Sequence, residues 1–403
     1  MKFSELDGRR VALWGLGRET RALRDQLAAR LPATVISAVI DEDTPQEEAR
    51  AALAHADVLI RSPGVSIYKP LIQAARAAGL PVGTATGLWL AERGGRHVIG
   101  VTGTKGKSTT ATIVAHLLRR AGMSVELAGN IGRPVIELIG LDPATWVVLE
   151  LSSYQIADLE VGPEVALLTN LSREHTDWHG SEQRYRADKL RLFDLPGVRA
   201  AVRPLGDRGD WPLVVPAAAV PLRGAHNAQN VAAAVAAIQA AGLPLPDLPG
   251  ALTGLEPLPH RLQTVHVDAR GVEWVDDSIS TTPASAVAAI EAFAGRSLVL
   301  IAGGADRAQD YAPLGQALAL RREPTALVLL PDTGEAIAAA AAAFGFAAAR
   351  MSTAGDMREA TRLAASRAQP GAVILLSPAA PSFNAYRDFE ERGDHFAALA
   401  LRT

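Results

Sequence analysis

Gly100-Val101-Thr102-Gly103-Thr104-Lys105-Gly106-Lys107-Ser108-Thr109-Thr110 decides how the rest of the chain is read. An apolar pair, Val98-Ile99, precedes it. Behind it, Ile113, Val114, Leu117 and Leu118 recur at helical spacing within Ala111 to Arg120. Strand, glycine loop and helix form the setting of a phosphate-binding loop. Glycines let backbone N–H groups turn inward with no Cβ in the way. The helix start adds free donors and partial positive charge. Lys107 is then expected to reach the outer phosphates, and Ser108 to hold Mg²⁺ through its hydroxyl. A strict pattern has glycine at position 101, where this chain has valine, so the loop is a variant. The alternative is a plain glycine-rich turn between strand and helix.

Upstream, Val11-Ala12-Leu13-Trp14-Gly15-Leu16-Gly17 predicts a buried strand entering a tight turn. A helix from Glu19 to Leu31, a strand from Thr34 to Ile40 and Asp41 follow. This βαβ start has the outline of a dinucleotide site, but Thr20 stands where the third glycine of that fingerprint belongs. A nicotinamide cofactor, another nucleotide ligand and a tight turn with nothing bound all stay open. Asp57 to Ser62 predicts a further strand, ending in Ser62-Pro63-Gly64. The polar stretch Glu92 to Gly95 marks a domain boundary.

Downstream, the strand Trp146 to Leu149 ends at Glu150-Leu151-Ser152-Ser153. A carboxylate at that edge is either a Mg²⁺ ligand or a solvated strand-end residue. Val165 to Leu168 opens into Thr169-Asn170-Leu171-Ser172-Arg173-Glu174-His175, where His175 is a candidate ligand or base, or a structural histidine. Tyr185 to Arg191 predicts a charged helical surface in which composition does not single out Lys189. Gly224-Ala225-His226-Asn227 leads to a helix over Ala228 to Ala241, with Asn227 at the N-cap. Prolines from Pro244 through Pro249 to Pro259 mark a second boundary near Leu258. Beyond it, strands over Val272 to Val275, Leu298 to Ile301, Ala326 to Leu330 and Val373 to Leu376 alternate with helices, which predicts a mostly parallel sheet covered on both faces. Asp276-Asp277-Ser278, Gly303-Gly304-Ala305-Asp306-Arg307 and Ser377-Pro378 sit at strand ends, where open α/β sheets bind ligands.

The 403 residues exceed one ordinary core, so two or three domains are expected. With 48% hydrophobic and 21% charged residues the chain can bury ample apolar surface. A net charge of −3 gives no reason to invoke nucleic acid or an anionic membrane. The absence of cysteine excludes disulfides, thiolate metal sites and a thiol nucleophile, and suits a cytoplasmic protein. Met1 to Arg10 is polar, unlike a signal peptide. No stretch approaches a membrane span, and Ala336 to Ala349 reads as a packed helix.

In this order the pieces resemble the Mur ligases, the ATP-dependent amide-forming enzymes of peptidoglycan precursor synthesis. Folylpolyglutamate synthase is a relative of that family. The resemblance rests on Gly103 to Thr109, Glu150 to Ser153, His175 and Gly224-Ala225-His226-Asn227-Ala228-Gln229-Asn230. Pro259-His260-Arg261, Asp277-Ser278 with Thr281, Ser377 to Phe383 and Phe389 to Phe396 resemble the member that adds D-glutamate to UDP-N-acetylmuramoyl-L-alanine. It implies an α/β chain of three domains: a Rossmann-like one over 1–93 for the uridine-linked substrate, a P-loop ATPase-like one over 94–257 for ATP, and a Rossmann-like one over 258–403 for the amino acid.

The resemblance also implies roles. Gly103, Thr104, Lys105, Gly106, Lys107, Ser108 and Thr109 serve ATP, together with Asn230, Arg261 and Asp277 near adenine and ribose. Ser108 and Glu150 ligate one Mg²⁺, and His175 contacts a second. Lys189 matches a lysine that is carbamylated in the family and so becomes an anion helping with that second metal. Thr281, Arg307, Ser382 and Phe389 match D-glutamate contacts. Gly15, Gly17, Ser62, Gly64, Asn130 and Ser152 fall to the other substrate. Some positions depart from the family: Lys105 replaces an asparagine, Ile279 and Arg307 stand where lysine is common, and Glu42-Asp43 stand where threonine and arginine would frame the uracil. ATP would convert a carboxylate into an acyl phosphate that an amine displaces. Lys107 and two metal ions would neutralise the repulsion between carboxylate and triphosphate, with domain closure bringing the partners together. Competing readings are an amide ligase with another acceptor, a P-loop kinase or NTPase, and a nicotinamide-dependent oxidoreductase.

Overall fold

Three α/β sheets carry the chain. A computed structural model describes residues 1–172, 176–206, 210–224 and 226–402, apart from the side chains of 176 and 177. The first sheet contains β1 (Arg10–Trp14), β2 (Val35–Ile40), β3 (Val58–Arg61) and β4 (Val82–Gly83), parallel throughout in the order β2-β1-β3-β4. The second contains β5 (Val98–Thr102), β6 (Val125–Gly129), β7 (Trp146–Glu150), β8 (Val165–Leu168) and β9 (Ala200–Val202) in the order β6-β7-β5-β8-β9, also parallel. β5, β7 and β8 are buried along their whole length, as continuous apolar runs in a two-sided parallel sheet must be.

The chain divides into two compact units. The first comprises Met1–Pro221 with His226–Leu255, and the second Leu222–Ala225 with Glu256–Thr403. The first two sheets therefore lie in one unit. Leu13, Leu23, Leu88 and Trp89 share a single buried cluster with Leu149, Ile156 and Tyr185. Trp89 and Leu88 belong to the helix Ala85–Arg93, which Thr84 caps by accepting from the Gly87 N–H and which Gly94 ends in the left-handed region. The polar stretch over 92–95 thus closes a helix that packs into this common core.

The second unit holds β10 (Gln263–Val267), β11 (Glu273–Asp276), β12 (Leu298–Gly304), β13 (Thr325–Asp332), β14 (Met351–Thr353) and β15 (Val373–Leu376), in the order β10-β11-β15-β12-β13-β14. All neighbours are parallel except β10 and β11, so the sheet gains an antiparallel edge strand absent from the sequence reading. Among the described residues no helix is long and apolar enough to cross a membrane.

Two local expectations change. The helix containing Asn227 starts at His226, so Asn227 lies inside the first turn, not at the cap, and its Oδ1 accepts from Asn230 Nδ2 at 2.8 Å. The helix Glu182–Leu190 is not a wholly charged surface, because Tyr185, Asp188 and Lys189 are buried.

Candidate active site

In the first unit the loop after β5 and the loop after β7 leave their neighbouring strands in opposite directions, which opens a crevice at the strands' carboxyl ends. The glycine loop fills one side. Gly106 (φ 76°) precedes the helix Lys107–Arg120, and a Cβ there would run into Asn230 Oδ1. Gly103 (φ 148°) lies against Thr169 Oγ1, again leaving no room for a side chain. The segment after β8 supports the loop from below. Thr169 Oγ1 donates to Lys105 O at 2.6 Å, and Asn170 Nδ2 donates to the same oxygen at 2.8 Å. Asn170 Oδ1 accepts from Lys105 N at 2.9 Å.

Lys107 folds back over the loop, with Nζ donating to Thr104 O at 2.9 Å. Thr104 is spent on the fold: its N–H donates to Asn170 O, and its hydroxyl lies 2.9 Å from Tyr185 Oη and accepts from Ser172 N. Thr104 therefore shapes the cradle from within. Ser108 and Thr109 sit in the first turn of the helix that follows. Asn230, 7% exposed, meets the loop from another helix.

Across the crevice Glu150 is fully buried. Its Oε1 accepts from Asn130 Nδ2 at 2.9 Å, while Oε2 is buried with no hydrogen-bond partner among the described residues. A buried carboxylate oxygen without a donor is costly and fits a divalent cation. Asn130 thus fixes Glu150. Ser152 caps the helix Ser153–Ile156 in a capping box with Gln155. Lys189 is 2% exposed, with Nζ donating to Gly103 O at 2.9 Å. His175 lies outside the described residues.

The turns after β1 and β3 meet in the same unit. A Cβ on Gly17 would lie 2.5 Å from Ser62 Oγ, and one on Gly15 3.0 Å from Val65 Cγ2. Thr20, in the place of the missing third glycine, donates to Gly15 O at 2.6 Å and so braces the turn. Gly64 is exposed beside Ser62.

In the second unit the loops after β11, β12 and β15 converge. Asp277 Oδ1 accepts from Leu262 N and Oδ2 from Ser377 Oγ at 2.8 Å, and burial pushes its carboxyl up to about 6. Arg261, one residue before Leu262, keeps a buried Nε without a partner among the described residues. Gln309 Nε2 donates to Thr281 O at 3.1 Å and to Ala379 O at 3.3 Å, tying two loops together. Arg307 lies over the exposed ring of Phe383, 5.5 Å from its centroid. Ser382 is buried, and Phe389 O accepts from Ser278 Oγ at 2.8 Å.

Sequence reasoning missed Arg392. It is 1% exposed, with Nε on Ser278 Oγ, Nη2 on Ser278 O and Nη1 on Ala380 O. Burial lowers its pKa to about 10. Nothing local distinguishes it in Phe389-Glu390-Glu391-Arg392. Thr169 and Asn170, by contrast, were readable as polar residues at a strand's carboxyl end.

Residues 101–208 match the Mur ligase middle domain, and residues 260–380 match the glutamate ligase domain of the Mur ligases. The UDP-N-acetylmuramoyl-L-alanine--L-glutamate ligase of Xylella fastidiosa (strain Temecula1) is 40% identical over an alignment of 455 residues, covering 99% of this chain and 97% of its own. The identically named protein of Salinispora tropica is 39% identical, with full coverage of both chains. Among solved structures, UDP-N-acetylmuramate-alanine ligase from Thermotoga maritima aligns with a TM-score of 0.63 at 18% identity, covering 98% of this chain and 99% of that one. MurF ligase from the same organism, in complex with ADP, gives 0.58 at 18% identity, covering 100% and 97%. The fold is thus that of these ligases, and the chain belongs to the Mur ligase family of ATP-dependent ligases.

Proposed function

We propose that the chain joins UDP-N-acetylmuramoyl-L-alanine to glutamate in peptidoglycan precursor synthesis, in the cytoplasm, where ATP is available. The observation that carries this reading is the likeness, over nearly the whole of both chains, to relatives named for that reaction. Those names carry L-glutamate, whereas the sequence reading expected D-glutamate, and the proposed acceptor is accordingly the L enantiomer. Residues 1–93 are assigned to the nucleotide-linked substrate, 94–257 to ATP and 258–403 to glutamate.

In the reaction, a carboxylate oxygen of the alanyl group attacks the γ-phosphorus of ATP and ADP leaves. The glutamate amine then attacks the acyl carbon, phosphate leaves and the amine loses a proton. Backbone N–H groups of the glycine loop and Lys107 would hold the phosphates and offset the meeting of two anions. Ser108 and Glu150 would hold Mg²⁺, which supplies further charge neutralisation on the phosphates. Asn230, Arg261 and Asp277 are assigned to the nucleoside end of ATP. Gly15, Gly17, Ser62, Gly64, Asn130 and Ser152 are assigned to the uridine-linked substrate. Thr281, Arg307, Ser382 and Phe389 are assigned to glutamate, with a cation at 307 suited to a carboxylate. A second Mg²⁺ at His175 and a carbamate on Lys189 complete the assignment.

ADP release with UDP-N-acetylmuramoyl-L-alanine and a panel of L-glutamate, D-glutamate, L-alanine and L-lysine tests the reading. Turnover with L-glutamate is expected. Turnover with D-glutamate alone would reverse the enantiomer, and silence with both would remove the function. Lys189→Ala should be nearly inactive and partly restored by short carboxylic acids; full activity would rule out the carbamate.

A further inference from the structure

The segment Ser62–Tyr68, whose first turn the proposed function gives to the nucleotide-linked substrate, is tied to the phosphate-loop sheet at three places. At its start Arg61 is fully buried and pairs at two points with Asp158, Nε to Oδ2 at 2.8 Å and Nη2 to Oδ1 at 2.7 Å. The same guanidinium donates to Val65 O and Tyr154 O. Midway, Trp178 Nε1 donates to Gly64 O at 3.0 Å, and Ser66 Oγ donates back to Trp178 O at 2.9 Å. At its end the Tyr68 hydroxyl lies 2.8 Å from both Asp188 oxygens.

Asp188 is the node. Its Oδ2 also meets His179 Nδ1 at 2.6 Å, and His179 Nε2 lies 2.9 Å from Ser153 Oγ. A carboxylate only accepts, so the Tyr68 hydroxyl and His179 Nδ1–H donate to Asp188, and Nε2 is left to face Ser153 Oγ. The Ser–His–Asp order is that of a nucleophilic triad. Yet Ser153 is 2% exposed and His179 0%, which makes these bonds ties inside the fold. Each end of the relay borders the site: Asp188 precedes Lys189, whose Nζ holds Gly103 O, and Ser153 opens the helix that Ser152 caps, three residues after Glu150.

We propose that Asp188, together with Tyr68 and His179, is a positioning residue: it fixes the substrate segment 62–68 in register with the helix carrying Lys189 and the turn after Glu150. The acid of the bound substrate then meets the phosphate loop at the right distance. Burial and the neighbouring Asp188 raise the Tyr68 phenol to about 12, so it stays a donor at working pH. The inference rests on the proposed function.

Tyr68→Phe removes one hydroxyl and keeps the ring that Trp178 and Arg184 pack against. One hydrogen bond to a charged group corresponds to roughly tenfold to a hundredfold in affinity. KM and calorimetric Kd for UDP-N-acetylmuramoyl-L-alanine should rise by up to about that factor, with KM for ATP unchanged. Asp188→Asn should raise the same two constants further and lower kcat as well. Unchanged substrate constants in Tyr68→Phe, or equal losses for ATP and substrate with a fallen Tm, overturn the inference alone. A wild-type protein that neither binds nor turns over this substrate overturns the functional reading with it.

Discussion

The glycine loop of the first unit and the strand-end cluster of the second both sit at the carboxyl ends of parallel strands, yet they are held together differently. The loop is one uninterrupted stretch shaped by glycines at positive φ, with Thr169 and Asn170 as outside support. The cluster is gathered from five separate segments, and side chains bridge them: Arg392 to Ser278 and Ala380, Gln309 to Thr281 and Ala379, Asp277 to Leu262 and Ser377. A contiguous loop can lose one support and keep its shape. An assembled cluster depends on each bridge, because every lost donor leaves a buried acceptor unsatisfied.

The sharpest break should come at Arg392. Arg392→Leu strips the donor from Ser278 O and Ala380 O. At about 1–3 kcal/mol per buried group, less the guanidinium's own desolvation, stability should fall by about 2–4 kcal/mol in urea unfolding. No measurable loss would mean that the cluster is not held by this bridge. Lys107→Ala should leave Tm unchanged and cut kcat/KM by about tenfold to several hundredfold, the worth of one charge-assisted hydrogen bond.

The effect at Asp277 is a pH dependence. The folded carboxyl holds its proton up to about 6, whereas the unfolded one releases it near 3.8. The folded state therefore binds more protons between those values. Its stabilisation is complete below the lower value, is lost as pH rises through the upper one and levels off above it. A buried group with this shift contributes about 1–3 kcal/mol. Asp277→Asn should flatten the stability profile between about pH 4 and about pH 7, and parallel profiles would refute the assignment. The smallest effect is expected at the loop. Thr169→Val removes one bond to Lys105 O but leaves Asn170, for about 1 kcal/mol and less than about tenfold in KM for ATP.

This contrast also explains what could be read in advance. The strands Val165–Leu168 and Val373–Leu376 fall where their apolar runs placed them, since a fully buried parallel strand is written locally. The α/β class and the glycine loop were legible for the same reason. Lys189 was hidden in what read as a charged helix, because a helix face is buried or exposed according to what packs on it. Asn227 looked like a cap, but the helix begins one residue earlier. β10 alternates too weakly to announce itself and pairs only because β11 offers an antiparallel edge.

By itself the sequence determined the glycine loop, the alternation of strand and helix and the residue types available at the strand ends, all of which depend on neighbours in the chain. Tertiary structure alone decided that the first two sheets share a core, that Glu150 keeps a buried oxygen with no partner among the described residues, and that Asp188, His179 and Ser153 join into one relay. Burial and hydrogen-bond pairing are set by residues far apart in the chain, and no local pattern records them.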